Sequence, residues 1–285
     1  MRDYFCGWYS KCQNGTQTVG IIPAFHRNKG QKTCSIQLIT DTGSWNVTFP
    51  ISAFRKTGRT VEIAGNRFGP EGLCLDLRDD GVQAAGVLRF GPLQRLKYDI
   101  MGPFRYVPFM ECRHSVLSMK HSVDGTLTIN GTPYVFRQGT GYLEGDRGRS
   151  FPKEYVWTQC CFPEGSLMLS VADIPLWGIH FTGIIGVICW QGRQYRLGTY
   201  WGAVAEKIGG GEVVIRQGRK RLTIRRLKEK GHPLAAPVGG SMSRTIHETA
   251  ACRVYFHFQE NGRTIFELES PHASLEYEYR DSENE

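Results

Sequence analysis

Apolar and polar residues alternate with a period of two along much of the chain. KTCSIQLIT (32–40) places Cys34, Ile36 and Leu38 on one face and Ser35, Gln37 and Ile39 on the other. GSWNVTFP (43–50) alternates Trp45, Val47 and Phe49, and GTPYVFRQG, GEVVIRQG, CRVYFHFQENG and ASLEYEY repeat the pattern. Turn signals such as QNG, RNKG, DTG, RDDG and ENG separate these segments. Alternation with closely spaced turns predicts antiparallel strands in a barrel or sandwich. No run at helical period exceeds about two turns. The fold class is therefore all-β.

Both halves hold a barrel-sized set of strand segments, joined by the Pro- and aromatic-rich QRLKYDIMGPFRYVPFMECRHS (94–115). This parse gives an N-terminal domain with linker over 1–112 and a C-terminal domain over 113–285. KGHPLAAPVGGSMSRTIHETAA (230–251) breaks the alternation, and its prolines and glycines predict an irregular connection acting as a lid or plug. GIHFTGIIGVICW (178–190) is apolar at both alternating sets, as expected of a strand buried on both sides with His180 as a satisfied core group. The polar tail YRDSENE is expected to fray.

Composition narrows the class. With 285 residues, 40% hydrophobic and 22% charged, the chain can build a sizeable core and is not disordered. A net charge of +8 permits an anionic partner without establishing one. Nine cysteines, an odd number without paired zinc spacing, suggest free thiols and a reducing compartment. The start has no apolar signal region, and the longest apolar stretch is too short to span a bilayer, so the expected location is the cytoplasm. Asn14 and Asn130, although in N-x-T matches, each precede Gly and fit turns. Phosphate-binding loops, nucleophile elbows and zinc-protease motifs are all missing from the sequence.

The densest chemistry lies in GYLEGDRGRSFPKEYVWTQC (141–160). Extended backbone puts Tyr142, Glu144 and Asp146 on one face, and later Tyr155, Trp157 and Gln159 on one face. Gly145 and Gly148 allow a bend that would bring the two faces over one cavity. A carboxyl beside large aromatics has a route to a raised pKa, which a general acid needs. The competing reading pairs Arg147 or Arg149 with Glu144 or Asp146 at a barrel rim. Glu111, beside Arg113 in PFMECRH, presents the same choice between ion pair and pocket acid. His114 and His121 match no familiar metal spacing and read as structural. RQGRKRLTIRRLKEK (216–230) holds eight Lys or Arg in fifteen residues and reads as a solvated hairpin, with weak contact to an anionic membrane as the alternative. It has no interleaved aromatics, which argues against a single-stranded nucleic-acid groove.

These residues also carry a family resemblance. FCGWYSKC (5–12) is similar to the G-W-Y-F-K opening of the tocopherol cyclase family, with Ser10 in place of the usual Phe. In the central block Pro108, Phe109, Glu111 and His121 match. Tyr142 to Gln159 follow the pattern Y-x-E-x-(D/N)-x-G-x-x-F-P-x-x-(Y/W)-x-W-x-Q. PLAAP, HETAAC and ASLEYE resemble the closing block. The resemblance implies two packed lipocalin-like antiparallel β-barrels around a hydrophobic pocket, related to carotenoid hydratases. It also implies ring closure on a prenylated hydroquinone, an isomerase or intramolecular-lyase reaction that uses no cofactor and no metal. On that reading Asp146, Glu144 or Glu111 is the acid, Tyr142, Tyr155 and Trp157 line the substrate, Gln159 holds a substrate oxygen and Arg147 orients the acid. Arg147 stands where plant members tend to have Trp, so the expected partner is broader: a small prenylated or terpenoid molecule. A non-catalytic lipocalin-like carrier or sensor of a hydrophobic ligand is the alternative function.

Overall fold

The computed structural model describes residues 3–108, 110–176, 178–228 and 231–279. Phe109, the last two residues of the basic stretch 216–230 and the tail from residue 280 lie outside it. The described chain forms two compact units. One comprises residues 1–99, 108–151 and 233–245, the other 100–107, 152–232 and 246–285.

The first unit takes its strands mainly from the N-terminal half. They are β1 (Tyr4–Gln13), β2 (Thr18–Asn28), β3 (Gln31–Thr40), β4 (Ser44–Pro50), β5 (Phe54–Thr57), β6 (Thr60–Ile63), β7 (Asn66–Gly69), β8 (Gly72–Asp79), β9 (Val82–Phe90), β10 (Cys112–Ile129) and β11 (Thr132–Gly148). They form one antiparallel sheet in the order β4-β3-β2-β1-β11-β10-β9-β8-β7-β6-β5. The sheet curls until β3 meets β6. Residues 113–148, placed by sequence in the second domain, thus form the centre of the first sheet. The curl encloses Ile21, Ile36, Leu38, Ile63, Leu75, Leu88 and Phe136. Asn130 takes a left-handed turn (φ 47°) and its side chain accepts from the Gln83 amide at 2.8 Å. Its turn role is as expected from the sequence.

The second sheet contains β12 (Tyr155–Phe162), β13 (Gly165–Leu176), β14 (Ile179–Trp190), β15 (Arg193–Gly198), β16 (Val204–Gly209), β17 (Glu212–Gln217), β18 (Lys220–Lys228), β19 (His232–Val238), β20 (Ser241–Glu260) and β21 (Arg263–Tyr277). Its order is β15-β14-β13-β12-β21-β20-β18-β17-β16, with β19 paired to β20. Gln217 ties the far strands together: its amide donates to the Arg196 carbonyl at 3.0 Å and accepts from the Gly198 amide at 2.9 Å. Leu167, Leu169, Ile184, Ile215, Leu222, Phe256 and Phe258 fill the interior.

Three expectations need correction. Residues 230–251 hold the β19–β20 hairpin rather than an irregular loop, because Gly239 (φ 55°) and Gly240 (φ 75°) supply a two-residue turn. Gln37 acts as a rung for this hairpin, accepting from the Ala235 amide at 3.0 Å and donating to its carbonyl at 3.1 Å. Its face of β3 is therefore as buried as the Ile36 face. β14 is buried on both faces only in its C-terminal half; Ile179 is 70% exposed. His180 is an exposed residue bonded to Asp173 at 2.6 Å, not a core group. The basic stretch has partners in its own unit: Arg216 and Arg221 reach Glu206 at 2.7 and 3.2 Å, and Arg225 lies over the Tyr255 ring. No helix of the described residues is long and apolar enough to cross a membrane.

A Cβ at Gly240 would lie 2.1 Å from the Arg27 carbonyl oxygen. Gly240→Ala should therefore cost about 2 kcal/mol or more, through positive-φ strain plus the clash. Hydrogen exchange should show lost protection at residues 233–240, with less change in β13 and β14.

Candidate active site

The site is built on β11, whose extended backbone turns Tyr142, Glu144 and Asp146 to one face and Leu143, Gly145 and Arg147 to the other. β10 lies alongside with His114 opposite Asp146 and Val116 opposite Glu144. A register shift follows between Val116 and Ser118, a bulge of the kind that re-aims side chains beside functional sites.

One imidazole joins the two acids. His114 Nδ1 lies 2.5 Å from Asp146 Oδ1, and its Nε2 lies 2.9 Å from Glu144 Oε2. The first is a hydrogen bond; the second is a charge contact whose ring N–H is poorly aligned with the oxygen. The Tyr142 hydroxyl donates to the same Glu144 oxygen at 2.6 Å. The Cys112 thiol lies 4.0 Å from Asp146 Oδ1, a weak donor contact. His114 and Glu144 are 9% and 4% exposed, so these groups interact with little solvent screening.

Burial pushes the Glu144 carboxyl above its ordinary range. The His114 charge and the Tyr142 hydroxyl pull it down, and Asp146 pushes it up again. Burial works against a charge on His114, but the two carboxylates outweigh it and hold the imidazole well above its usual pKa. The cluster is therefore proton-rich: an imidazolium between two acids, with the buried one inclined to keep its own proton.

Glu144 also borders a cavity of about 390 Å³. Its walls include Trp8, Val61, Phe68, Leu93, Leu96, Val116, Leu117 and Leu143, and every lining residue belongs to the first unit. The cavity's size lies within the usual range for small-molecule sites. Neither His114 nor Asp146 lines it.

The structure thus brings together Tyr142, Glu144 and Asp146, three of the residues singled out by sequence. The others are elsewhere. Glu111 is partly buried; its backbone carbonyl accepts from the Arg149 amide at 2.7 Å, and its side chain neither lines the cavity nor joins the cluster. Arg147 is exposed on the opposite face of β11, facing Cys6 and Arg113 across the sheet, so His114 and not an arginine holds the acids. Gly145 and Gly148 make no bend, because β11 runs on through Gly148. The Gly148 site admits no Cβ, which would sit 1.9 Å from the Glu111 carbonyl oxygen.

Tyr155, Trp157 and Gln159 are buried in β12 of the second unit, and none lines the Glu144 cavity. Tyr155 donates a short hydrogen bond to Glu276, which lies opposite Trp157 on β21 and opposite Glu248 on β20. The Gln159 amide donates to the Cys161 sulfur at 3.1 Å. His121 is structural: it bonds Ser118 at 3.1 Å, packs on Phe90, and burial lowers its pKa to about 4. Sequence reasoning missed the role of His114. Its signal was available only after pairing β10 with β11, which sets position 114 opposite 146.

Donor atoms of His114, Glu144 and Asp146 lie within 4.8 Å of one another, the closeness a metal ion needs. Each ring nitrogen already faces a carboxylate, so one ion would have to displace these contacts and turn the ring. The donor set suits proton traffic better than ligation.

A model of the tocopherol cyclase-like family matches residues 81–278. The chain belongs to the tocopherol cyclase-like family. The matched region contains the whole proton-holding cluster, whereas Trp8, Val61 and Phe68 of the cavity precede it. No curated protein sequence matches the chain. Among solved structures, CghA superposes with a TM-score of 0.60 at 10% identity, covering 99% of this chain and 90% of its own. Kievitone hydratase from Nectria haematococca gives 0.57 at 11%, with coverage of 96% and 88%. An AttH-type protein from Nitrosomonas europaea gives 0.56 at 11%, with coverage of 98% and 93%. At such identities these likenesses carry the fold alone, and they agree with the lipocalin-like all-β architecture.

Proposed function

We propose that this member of the family is an acid–base catalyst of hydratase or cyclase type acting on an apolar alkene, with Glu144 as the acid. The carrying observation is the Glu144 carboxyl, buried and held by Tyr142 and His114, on a residue that is itself part of the lining of a largely apolar cavity. The protonated carboxyl gives its proton to one alkene carbon and the π pair forms the new C–H bond. The cation left on the neighbouring carbon is captured by an oxygen, from water in a hydration or from a phenol of the same substrate in a cyclisation. That oxygen returns its surplus proton to Glu144, closing the cycle without a redox change. His114 stabilises the Glu144 carboxylate between the two transfers, and Asp146 keeps His114 charged and oriented. Membership of the tocopherol cyclase-like family supports this reading. A prenylated or terpenoid substrate fits the walls.

The test is turnover of prenylated hydroquinones and terpenoid alkenes in D₂O. One carbon-bound deuterium per product molecule supports the acid step. Ligand retention without conversion of any candidate would replace the enzyme by a carrier. Tyr142→Phe supplies a finer check. Loss of the hydroxyl removes a bond that favours the carboxylate, so the alkaline limb of the pH–rate profile should move to higher pH.

A further inference from the structure

The Glu144 cavity is polarised. Glu144 and Leu143 are buried, whereas Lys56 on β5, Arg59 in the β5–β6 turn and Arg95 after β9 are exposed residues on its lining. Asp99 is the one other acid bordering it among the described residues. Some basic residues elsewhere on the fold meet acids: Arg55 reaches Glu62 at 3.1 Å, and Lys207 reaches Glu212 at 2.5 Å. Among the described residues, Lys56 and Arg59 form no ion pair with an acid. Lys56 instead stands over the Trp8 ring, 5.2 Å from its centroid, at the edge of the apolar wall. Two exposed cations on the lining of a largely apolar cavity, neither in an ion pair among the described residues, can attract anionic oxygens.

We infer that the cavity takes an amphipathic ligand whose anionic head group, a carboxylate or phosphate, sits between Lys56 and Arg59 while its apolar body extends toward Glu144. This rests on the same cavity as the proposed reaction and names the substrate class: an alkene that also carries an acid group. The anion fixes which part of the apolar body reaches the buried carboxyl, so it sets the position of protonation. An uncharged prenyl alcohol or hydrocarbon would lack that anchor.

The test is calorimetric titration of the full chain with decanoate, decyl phosphate and decanol at low ionic strength. Decanoate or decyl phosphate should bind about tenfold tighter than decanol, the worth of one or two charge-assisted contacts. The tighter of the two identifies the head group. Added salt should erase the preference. The double variant Lys56→Gln/Arg59→Gln should bind the anions no better than decanol, with decanol affinity unchanged. Equal affinity for all three probes, or undiminished anion preference in the double variant, would overturn the inference. Glu144→Gln, titrated in parallel, should keep the preference. Anion preference with no deuterium incorporation in wild type sinks the acid reading alone; deuterium incorporation without anion preference sinks this one alone.

Discussion

Glu144→Gln should lower product formation by about 10²–10⁴-fold, the usual worth of a general acid. The carboxamide keeps the size of the side chain and can still accept from Tyr142, so the fold and ligand affinity should survive. It cannot give up a proton to carbon. Asp146→Asn acts one step further away: it weakens the charge on His114 and should cost less, with the larger change in the pH profile. Glu111→Gln, by contrast, should leave the rate near wild type, since that side chain is outside the cavity lining. Rapid-quench or steady-state assays on the three variants separate these outcomes. Equal loss in all three, or none in Glu144→Gln, would move the proton donor elsewhere.

His114→Ala should be the most damaging single change to stability near neutral pH. It removes the cation between two acids, and breaking a buried ion pair from one side costs about 3–5 kcal/mol. The sign with pH is defined. His114 has a raised folded pKa, so its stabilisation is fully present below its ordinary value of 6.5 and is lost as pH rises through the folded value. Glu144 is raised too, so the native state also binds its proton more tightly and loses stability as pH rises above 4.5. Wild-type stability attributable to this cluster should therefore fall on the alkaline side. In His114→Ala the deficit should shrink on acidification, when protonation of a carboxyl relieves the repulsion. Urea unfolding across pH measures both. Adding Glu144→Gln to His114→Ala should recover part of the loss, and a double-mutant cycle gives the coupling. A pH-independent deficit unaffected by Glu144→Gln would mean the histidine acts by packing alone.

The strand character of the chain was legible because alternation is a local property: Cys34, Ile36 and Leu38 point inward as their spacing requires. So was the shared face of Tyr142, Glu144 and Asp146, which needs only extended backbone. What stayed hidden depended on pairing between distant segments. His114 gains meaning only opposite Asp146, thirty-two residues later. The supposed partnership of the acids with Trp157 and Gln159 assumed a bend at Gly145. There the strand continues without a bend, and a Cβ would meet the Trp8 ring at an ordinary contact distance of 3.4 Å. The hairpin at 232–260 looks irregular in sequence because its prolines and glycines break the alternation, and part of the support for β19, at Ala235, comes from the distant side chain of Gln37.

That borrowed rung has a consequence for how the protein is made. The first unit includes residues 233–245, so its last pieces leave the ribosome after most of the second unit's strands. Until then Gln37 on β3 lacks its eventual partner, as does the Asn28 side chain at the end of β2, which later donates to the Gly239 carbonyl. The early chain must hold this unfinished surface through synthesis of about a hundred further residues, at roughly 5–20 per second. A nascent chain stopped near residue 151 would present an incomplete sheet face, so the order of synthesis and the order of completion are opposed in this fold.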